Sequence, residues 1–278
     1  MKIVMTLLVR DEQDIIRENI EYHLSQGVNY FIATDNRSSD ATTEILREYE
    51  KKGILHYIYE GEDNYNQHEW VTRMARMAHI EYGADWVINN DADEFWWPKS
   101  GNLKETFHKV GSEYNTVRAN RYDFIAIDNY KPPFYHSMVY RQKHSLNPLG
   151  KPLHPKVAHR GNEAVIVNQG NHSVCGIGDL KPIGDLVDIF HFPIRSYTQL
   201  ENKVVKGGAA YERNRELPST IGATWRQLYK EYQLNNHIND YYNKNSYDEK
   251  RIMEELESGS IVFDKRLSEY FSEKIQVV

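Results

Sequence analysis

In its first ninety residues the chain alternates four apolar runs with three stretches of helical periodicity, and that order leaves few folds open. Residues 3–9 are almost continuously apolar, as in a strand buried on both faces. Over 14–25, Ile15, Ile16, Ile20 and Leu24 fall on one helical face, and Gly27 stops the helix. A second strand is expected over 30–34. A helix follows from an Asp40 N-cap to residue 50, with Gly53 behind it, and then a third strand over 54–59. The next helix, over 67–82, carries Trp70, Met74, Met77 and Ala78; Gly83 ends it, and 84–88 is the fourth strand. This βαβαβαβ succession implies an α/β fold with a mostly parallel central sheet, right-handed crossovers and flanking helices.

Beyond residue 114 the pattern changes. Shorter apolar runs broken by Pro and Gly, such as Thr116-Val117-Arg118-Ala119, Ala164-Val165-Ile166-Val167 and Val187-Asp188-Ile189-Phe190, are expected to add mixed strands and loops to the same sheet. Helices are expected over 199–213 and 225–233, with two weaker helical patterns around Ile252 and Leu267. The domain organisation read from this is an α/β domain over 1–215 and a helical C-terminal extension over 216–278.

Composition excludes some functions. A formal charge of -6 argues against general nucleic-acid binding, which needs a Lys/Arg excess to grip phosphates. No apolar stretch approaches the ~20 residues that cross a bilayer, and the opening Met1-Lys2-Ile3-Val4-Met5 enters a strand without signal-peptide architecture. With Cys175 as the only cysteine, no intrachain disulfide forms and a reducing, cytoplasmic setting is expected.

In an open α/β sheet, ligands collect beyond the carboxyl ends of the strands, and two acidic clusters stand there. Asp35-Asn36-Arg37-Ser38-Ser39-Asp40 follows the second strand, and Asp91-Ala92-Asp93-Glu94 follows the fourth. On an extended segment Asp91 and Asp93 would leave one face, making a hard-oxygen site suited to Mg²⁺ or Mn²⁺ together with a substrate phosphate. Asp35 and Ser38 suit a turn and a cap equally well; the alternative is a carboxylate bonded to a nucleobase N–H or a ribose hydroxyl. Arg10-Asp11-Glu12, after the first strand, could line the same pocket or simply begin a helix. No glycine-rich phosphate loop follows the first strand.

Val9-Arg10-Asp11-Glu12, the 35–40 cluster and Asp91-Ala92-Asp93-Glu94-Phe95 together resemble the family 2 glycosyltransferases of GT-A fold. The likeness covers about residues 1–125. It resumes at His154-Pro155-Lys156-Val157, Gly170-Asn171-His172 and His191-Phe192-Pro193-Ile194-Arg195-Ser196, pieces similar to a bacterial branch with a D-A-D-E-F signature. The family's opening loop more often reads N-E where this chain has Asp11-Glu12.

The resemblance implies that 1–215 binds a nucleotide-sugar donor. Asp35 would contact the base or ribose with Arg10 and Glu12 nearby, Asp91 the ribose or a metal, and Asp93 the metal, Mn²⁺ or Mg²⁺. His191 is the candidate third metal ligand, and Arg195 and Lys203 would face the leaving diphosphate. Family 2 members invert the anomeric centre by direct displacement, with a base taking the acceptor proton. Asp123 and His172 are the candidate bases, Glu163 and Asp188 stay open, and Lys156 and His154 could position phosphate or acceptor. The implied acceptor is a glycan or lipid-linked precursor in polysaccharide biosynthesis, met through peripheral contact at the inner face of the membrane. Two other functions remain open: a sugar nucleotidyltransferase, although its usual glycine-rich loop is missing, and a non-catalytic nucleotide-sugar or carbohydrate-binding domain. A D-x-D-x-[TV] phosphatase fits less well, since Phe95 stands at its last position.

Overall fold

The computed structural model describes residues 1–128, 131–146, 151–218 and 220–275. It contains strands β1 (Ile3–Val9), β2 (Tyr30–Asp35), β3 (Leu55–Tyr59), β4 (Trp86–Asp91), β5 (Glu94–Pro98) and β6 (Thr116–Asp123). Helices α1 (Ile16–Ser25), α2 (Thr42–Lys51), α3 (Gln67–Ile80) and α4 (Leu103–His108) intervene. The sheet order is β3-β2-β1-β4, then Lys156–Arg160, β6, Val187–His191 and β5. β1 pairs in parallel with β2 and β4, and β2 with β3; Lys156–Arg160 runs antiparallel to both β4 and β6. The expected α/β fold with a mostly parallel sheet and flanking helices is therefore present. Of the later apolar runs, 116–119 and 187–190 join the same sheet, whereas Ile166–Val167 pairs with Val174–Cys175 in a separate two-stranded sheet.

Two of the boundaries that differ from the sequence reading bear on the site. β4 continues through Asn89 and Asn90 to Asp91, because Thr6 on β1 donates a hydroxyl hydrogen bond to Asn89 (2.9 Å) and so makes a buried polar strand end tolerable. Ala92 and Asp93 consequently form a turn between β4 and β5, so Asp91 and Asp93 do not sit on an extended segment. α2 begins at Thr42 without an N-cap side chain of its own; Asp40 still accepts the Thr42 N–H (2.9 Å) from outside the helix.

The chain divides into two compact units, residues 1–121 with 153–190, and 122–152 with 191–278. In the first, α3 lays Val71, Met74, Ala75 and Ala78 against Val4, Ile32 and Val87 of the sheet. Four such helical positions spaced three and four apart are what the periodicity of 67–82 required. The second unit is built from helices Tyr197–Arg213, Ala223–Asn235, Asn239–Asn245, Glu249–Ser258 and Arg266–Ile275. Two short strand pairs accompany them, Ala126–Ile127 with Ser246–Tyr247 and Tyr140–Gln142 with Ile261–Phe263. Leu200, Val204, Leu228 and Ile238 form one of its cores. The two weak helical patterns around Ile252 and Leu267 are both helices. No helix among the described residues is long and apolar enough to cross a membrane.

Candidate active site

Register decides where the acidic clusters point. Leu8 of β1 pairs with Asp91 on one side and Thr34 on the other, whereas Val9 pairs with Asp35. Paired residues in a sheet share a face and neighbours alternate. Asp91 therefore lies on the α3 face with Leu8, and Asp35 on the opposite face with Val9. The one-residue offset at the strand ends thus turns the two side chains to opposite faces of the sheet.

Asp35 is fully buried. One oxygen accepts the Ser38 N–H (2.9 Å), and the other accepts the hydroxyls of Thr43 (2.5 Å) and Tyr57 (3.0 Å). This holds the 36–40 turn from beneath. Above it, Asp11, at φ 54°, accepts the Ser39 N–H (2.7 Å), and the Ser38 hydroxyl accepts the Asp11 N–H (3.0 Å). The Thr42 hydroxyl accepts the N–H of Glu12, a buried residue (2.8 Å). Arg10 pairs with Asp63 at 2.7 Å and Arg37 reaches the same carboxylate at 3.4 Å. The loops after β1, β2 and β3 thus form one hydrogen-bonded rim, with Arg10 and Arg37 as its cations.

Around Asp91 the chemistry is ionic. The Lys156 ammonium, with its side chain only 2% exposed, donates to one Asp91 oxygen and lies 3.2 Å from Glu94, which is fully buried. Arg121 stands 3.5 Å from the same Glu94. The Asn171 amide donates to the other Asp91 oxygen (3.1 Å). Burial alone would lower the Lys156 pKa, but Asp91 and Glu94 outweigh it and hold the ammonium above the usual lysine range. Asp91, at 29% side-chain exposure, is the outward end of this assembly, and Asp93 is buried beside it in the turn.

Asn171 adopts φ 59°, next to Gly170 at φ 77°. A carboxylate only accepts, so Asp91 fixes the Asn171 amide with its nitrogen inward. The Asn171 oxygen is left buried without a hydrogen-bond partner among the described residues. His172 follows: its Nδ1 contacts the Pro155 carbonyl (3.0 Å), which fixes the proton on Nδ1 and leaves Nε2 as an acceptor. Burial first, then Lys156 and Arg121, lower its pKa to about 4. A Cβ at Gly170 would come within 2.8 Å of that Nε2, so the glycine keeps the imidazole edge clear.

In the second unit, Asp123 accepts from His191 Nδ1 (2.7 Å), and its own N–H donates to the Ser145 hydroxyl (2.7 Å). Sequence reading gave these two residues separate roles, base and metal ligand; the fold couples them. A carboxylate-oriented imidazole suits either a metal-bound histidine or a positioned base. Arg195 is fully buried, with its guanidinium donating to the Phe192 carbonyl (3.1 Å), and holds the turn into helix Tyr197–Arg213.

Sequence reasoning left Asn171 and Glu94 without a role and gave Lys156, with His154, as a residue that could position phosphate or acceptor. The available signal was that Lys156-Val157-Ala158 opens an apolar run, where an unpaired ammonium would be untenable. Among the described residues no group of three His, Cys, Asp or Glu side chains is close enough to hold a metal ion. The donor set is nevertheless of the right chemistry for one: Asp93, the outward edge of Asp91 and the partnerless Asn171 carbonyl are hard oxygens.

The sequence profile of glycosyltransferase family 92 matches residues 4–171, more than half of the chain, and encloses the whole Asp91–Lys156 assembly. The chain belongs to glycosyltransferase family 92. Family 92 stands where the sequence resemblance pointed to family 2; glycosyl transfer is common to both. Comparison with curated proteins finds no match. Among solved structures, the chain is similar to S. aureus TarS 1–349, with 12% identity and a TM-score of 0.44 over 84% of this chain and 71% of that 1–349 piece. That protein has also been crystallised with UDP and with UDP-GlcNAc. Glucosyl-3-phosphoglycerate synthase from Mycobacterium tuberculosis, crystallised with Mn²⁺, UDP and glucosyl-3-phosphoglycerate, gives 17% identity and a TM-score of 0.32, covering 43% of this chain and 44% of its own. Both TM-scores are below 0.5, and the family assignment rests on the sequence profile.

Proposed function

We propose that this family 92 member transfers a sugar from a nucleotide-sugar donor to a glycan or lipid-linked acceptor, with inversion, and that the donor diphosphate lies over Asp91. The observation that carries this reading is the outward Asp91 carboxylate at the carboxyl edge of the parallel strands, clamped from below by Lys156 and Asn171 inside the matched span. Donor binding and catalysis occupy 1–215, with 216–278 as a helical extension. Arg10 supplies positive charge at the rim, with Glu12 beside it, while Asp35 serves the nucleotide pocket by shaping the 36–40 turn. A divalent cation, Mn²⁺ or Mg²⁺, would be held by Asp93 and the open edge of Asp91 and would neutralise the leaving diphosphate.

The chain's own residues supply the rest. His172, neutral at pH 7 with Nε2 as acceptor, takes the acceptor hydroxyl proton on the α3 face. The Asp123–His191 pair is the second candidate for that step, with Asp123 orienting the imidazole, and Arg195 supports it structurally. The setting proposed is cytoplasmic, with the acceptor met at the membrane surface.

The test is to incubate the full chain with a panel of nucleotide-sugars, Mn²⁺ and an acceptor extract, following nucleoside diphosphate release and glycosylated product. Release coupled to product supports the transferase. Formation of nucleotide-sugar from nucleoside triphosphate and sugar 1-phosphate would replace it with the nucleotidyltransferase reading, and binding without release with the non-catalytic domain.

A further inference from the structure

The D-A-D-E turn reads as acidic in sequence, yet its charges are largely cancelled in the fold. Asp91 and Glu94 face Lys156 and Arg121, two carboxylates against two cations within 3.5 Å contacts. Lys156 is almost wholly buried and sits between both carboxylates, so it is a permanent part of the turn and not a mobile surface charge. Both Asp91 oxygens are engaged, one by an ammonium and one by an amide. Removing one partner of such a buried pair exposes the other's charge at low dielectric.

We infer that Lys156 is a positioning residue that sets the cation affinity of this turn: by neutralising Asp91 and Glu94 it prevents the free protein from holding a divalent cation, which then binds only together with the donor's diphosphate. The inference rests on the proposed donor site at Asp91 and adds the order in which that site is filled. One or two carboxylates plus substrate phosphates are the usual ligand set for such cations, and Lys156 reduces the protein's own share. Three features agree with this. The ammonium stays charged at all physiological pH values. No three-residue His, Cys, Asp or Glu group is assembled among the described residues. The buried Asn171 oxygen, which has no hydrogen-bond partner among the described residues, is a neutral carbonyl that adds no charge.

The experiment titrates Mn²⁺ alone, without nucleotide, into the wild-type chain, Lys156→Gln and Lys156→Arg, by calorimetry. The wild type and Lys156→Arg are expected to bind Mn²⁺ at roughly millimolar strength or weaker, and folded Lys156→Gln at least about tenfold more tightly, since the Asp91 carboxylate then faces the ion without its ammonium. Micromolar Mn²⁺ binding by the wild type, or an unchanged affinity in folded Lys156→Gln, overturns the assignment. If Lys156→Gln does not fold, the wild-type titration decides alone. Loss of donor turnover would strike the proposed function and leave this titration standing, while tight binding of Mn²⁺ alone would strike the role of Lys156 and leave turnover standing.

Discussion

Two aspartates end parallel strands on either side of β1, one register step apart, and the fold treats them in opposite ways. Asp35 is satisfied by neutral donors, a backbone N–H and two hydroxyls, and is sealed from solvent. Asp91 is gripped by an ammonium and an amide and keeps one edge outward. The first arrangement organises a turn. The second presents a carboxylate whose position is fixed and whose charge is compensated from below. A strand-tip aspartate therefore has no fixed meaning, and the face it takes and the charge of its donors decide whether it serves structure or ligand.

The sharpest way to break this contrast is through stability. Glu94→Ala removes the inner anion of the ionic assembly and leaves Lys156 and Arg121 without it, which should cost about 3–5 kcal/mol. Urea denaturation monitored by circular dichroism checks this. A loss below about 1 kcal/mol would mean that the four charges are solvated and not a buried unit.

Asp35→Ala comes next. It strands the Ser38 N–H and the Thr43 and Tyr57 hydroxyls, at a cost of about 2–3 kcal/mol. Cation binding should not change, because Asp35 belongs to the other face of the sheet. Full stability with a selective loss of nucleotide affinity would return Asp35 to the role of a direct nucleotide contact and erase the difference between the two loops.

How much of this was legible beforehand follows from the physics of each feature. The four parallel strands and α3 were readable because burial on one or both faces imposes periodicity on the residues themselves. Positions of the acidic clusters at strand ends were readable for the same reason. The face each aspartate takes was not, since it turns on whether β4 stops at Ile88 or runs to Asp91. That in turn depends on a Thr6–Asn89 hydrogen bond between residues 83 positions apart. Lys156 lies 65 residues from Asp91, and Asn171 lies 80. No local pattern encodes such pairings. The Asp123–His191 coupling, across 68 residues, was hidden likewise, although both members were singled out.

Asp91→Asn sharpens the contrast from the functional side. An amide keeps the shape and Lys156 keeps Glu94, so the stability cost should be only about 1 kcal/mol. Donor turnover should nevertheless fall by roughly a hundredfold, the size of effect that misplacing a reacting group produces. Steady-state kinetics beside a denaturation curve separates the two. Equal turnover in the variant would leave the ionic assembly as purely structural, on a par with Asp35.

Three buried histidines add a pH dependence of stability. His23 is fully buried, its Nδ1 against the Asn19 carbonyl (2.8 Å), and its Nε2 accepts the Trp96 N–H (3.1 Å), so a second ring proton has no place. Burial lowers its pKa to about 3, and lowers His159 and His172 to about 4. All three sit below the unfolded value of 6.5. The unfolded chain therefore binds protons first, and the stability these residues contribute is complete above pH 6.5 and is lost as pH falls toward about 4 for His159 and His172 and about 3 for His23. Denaturation midpoints should be level from pH 8 to 7 and lower at pH 5. If His172 takes the acceptor proton, the acid limb of kcat/KM should also lie near pH 4 and not near 6.5. An acid limb at 6.5 that vanishes in His191→Asn but persists in His172→Asn would move the base from the α3 face to the Asp123–His191 pair.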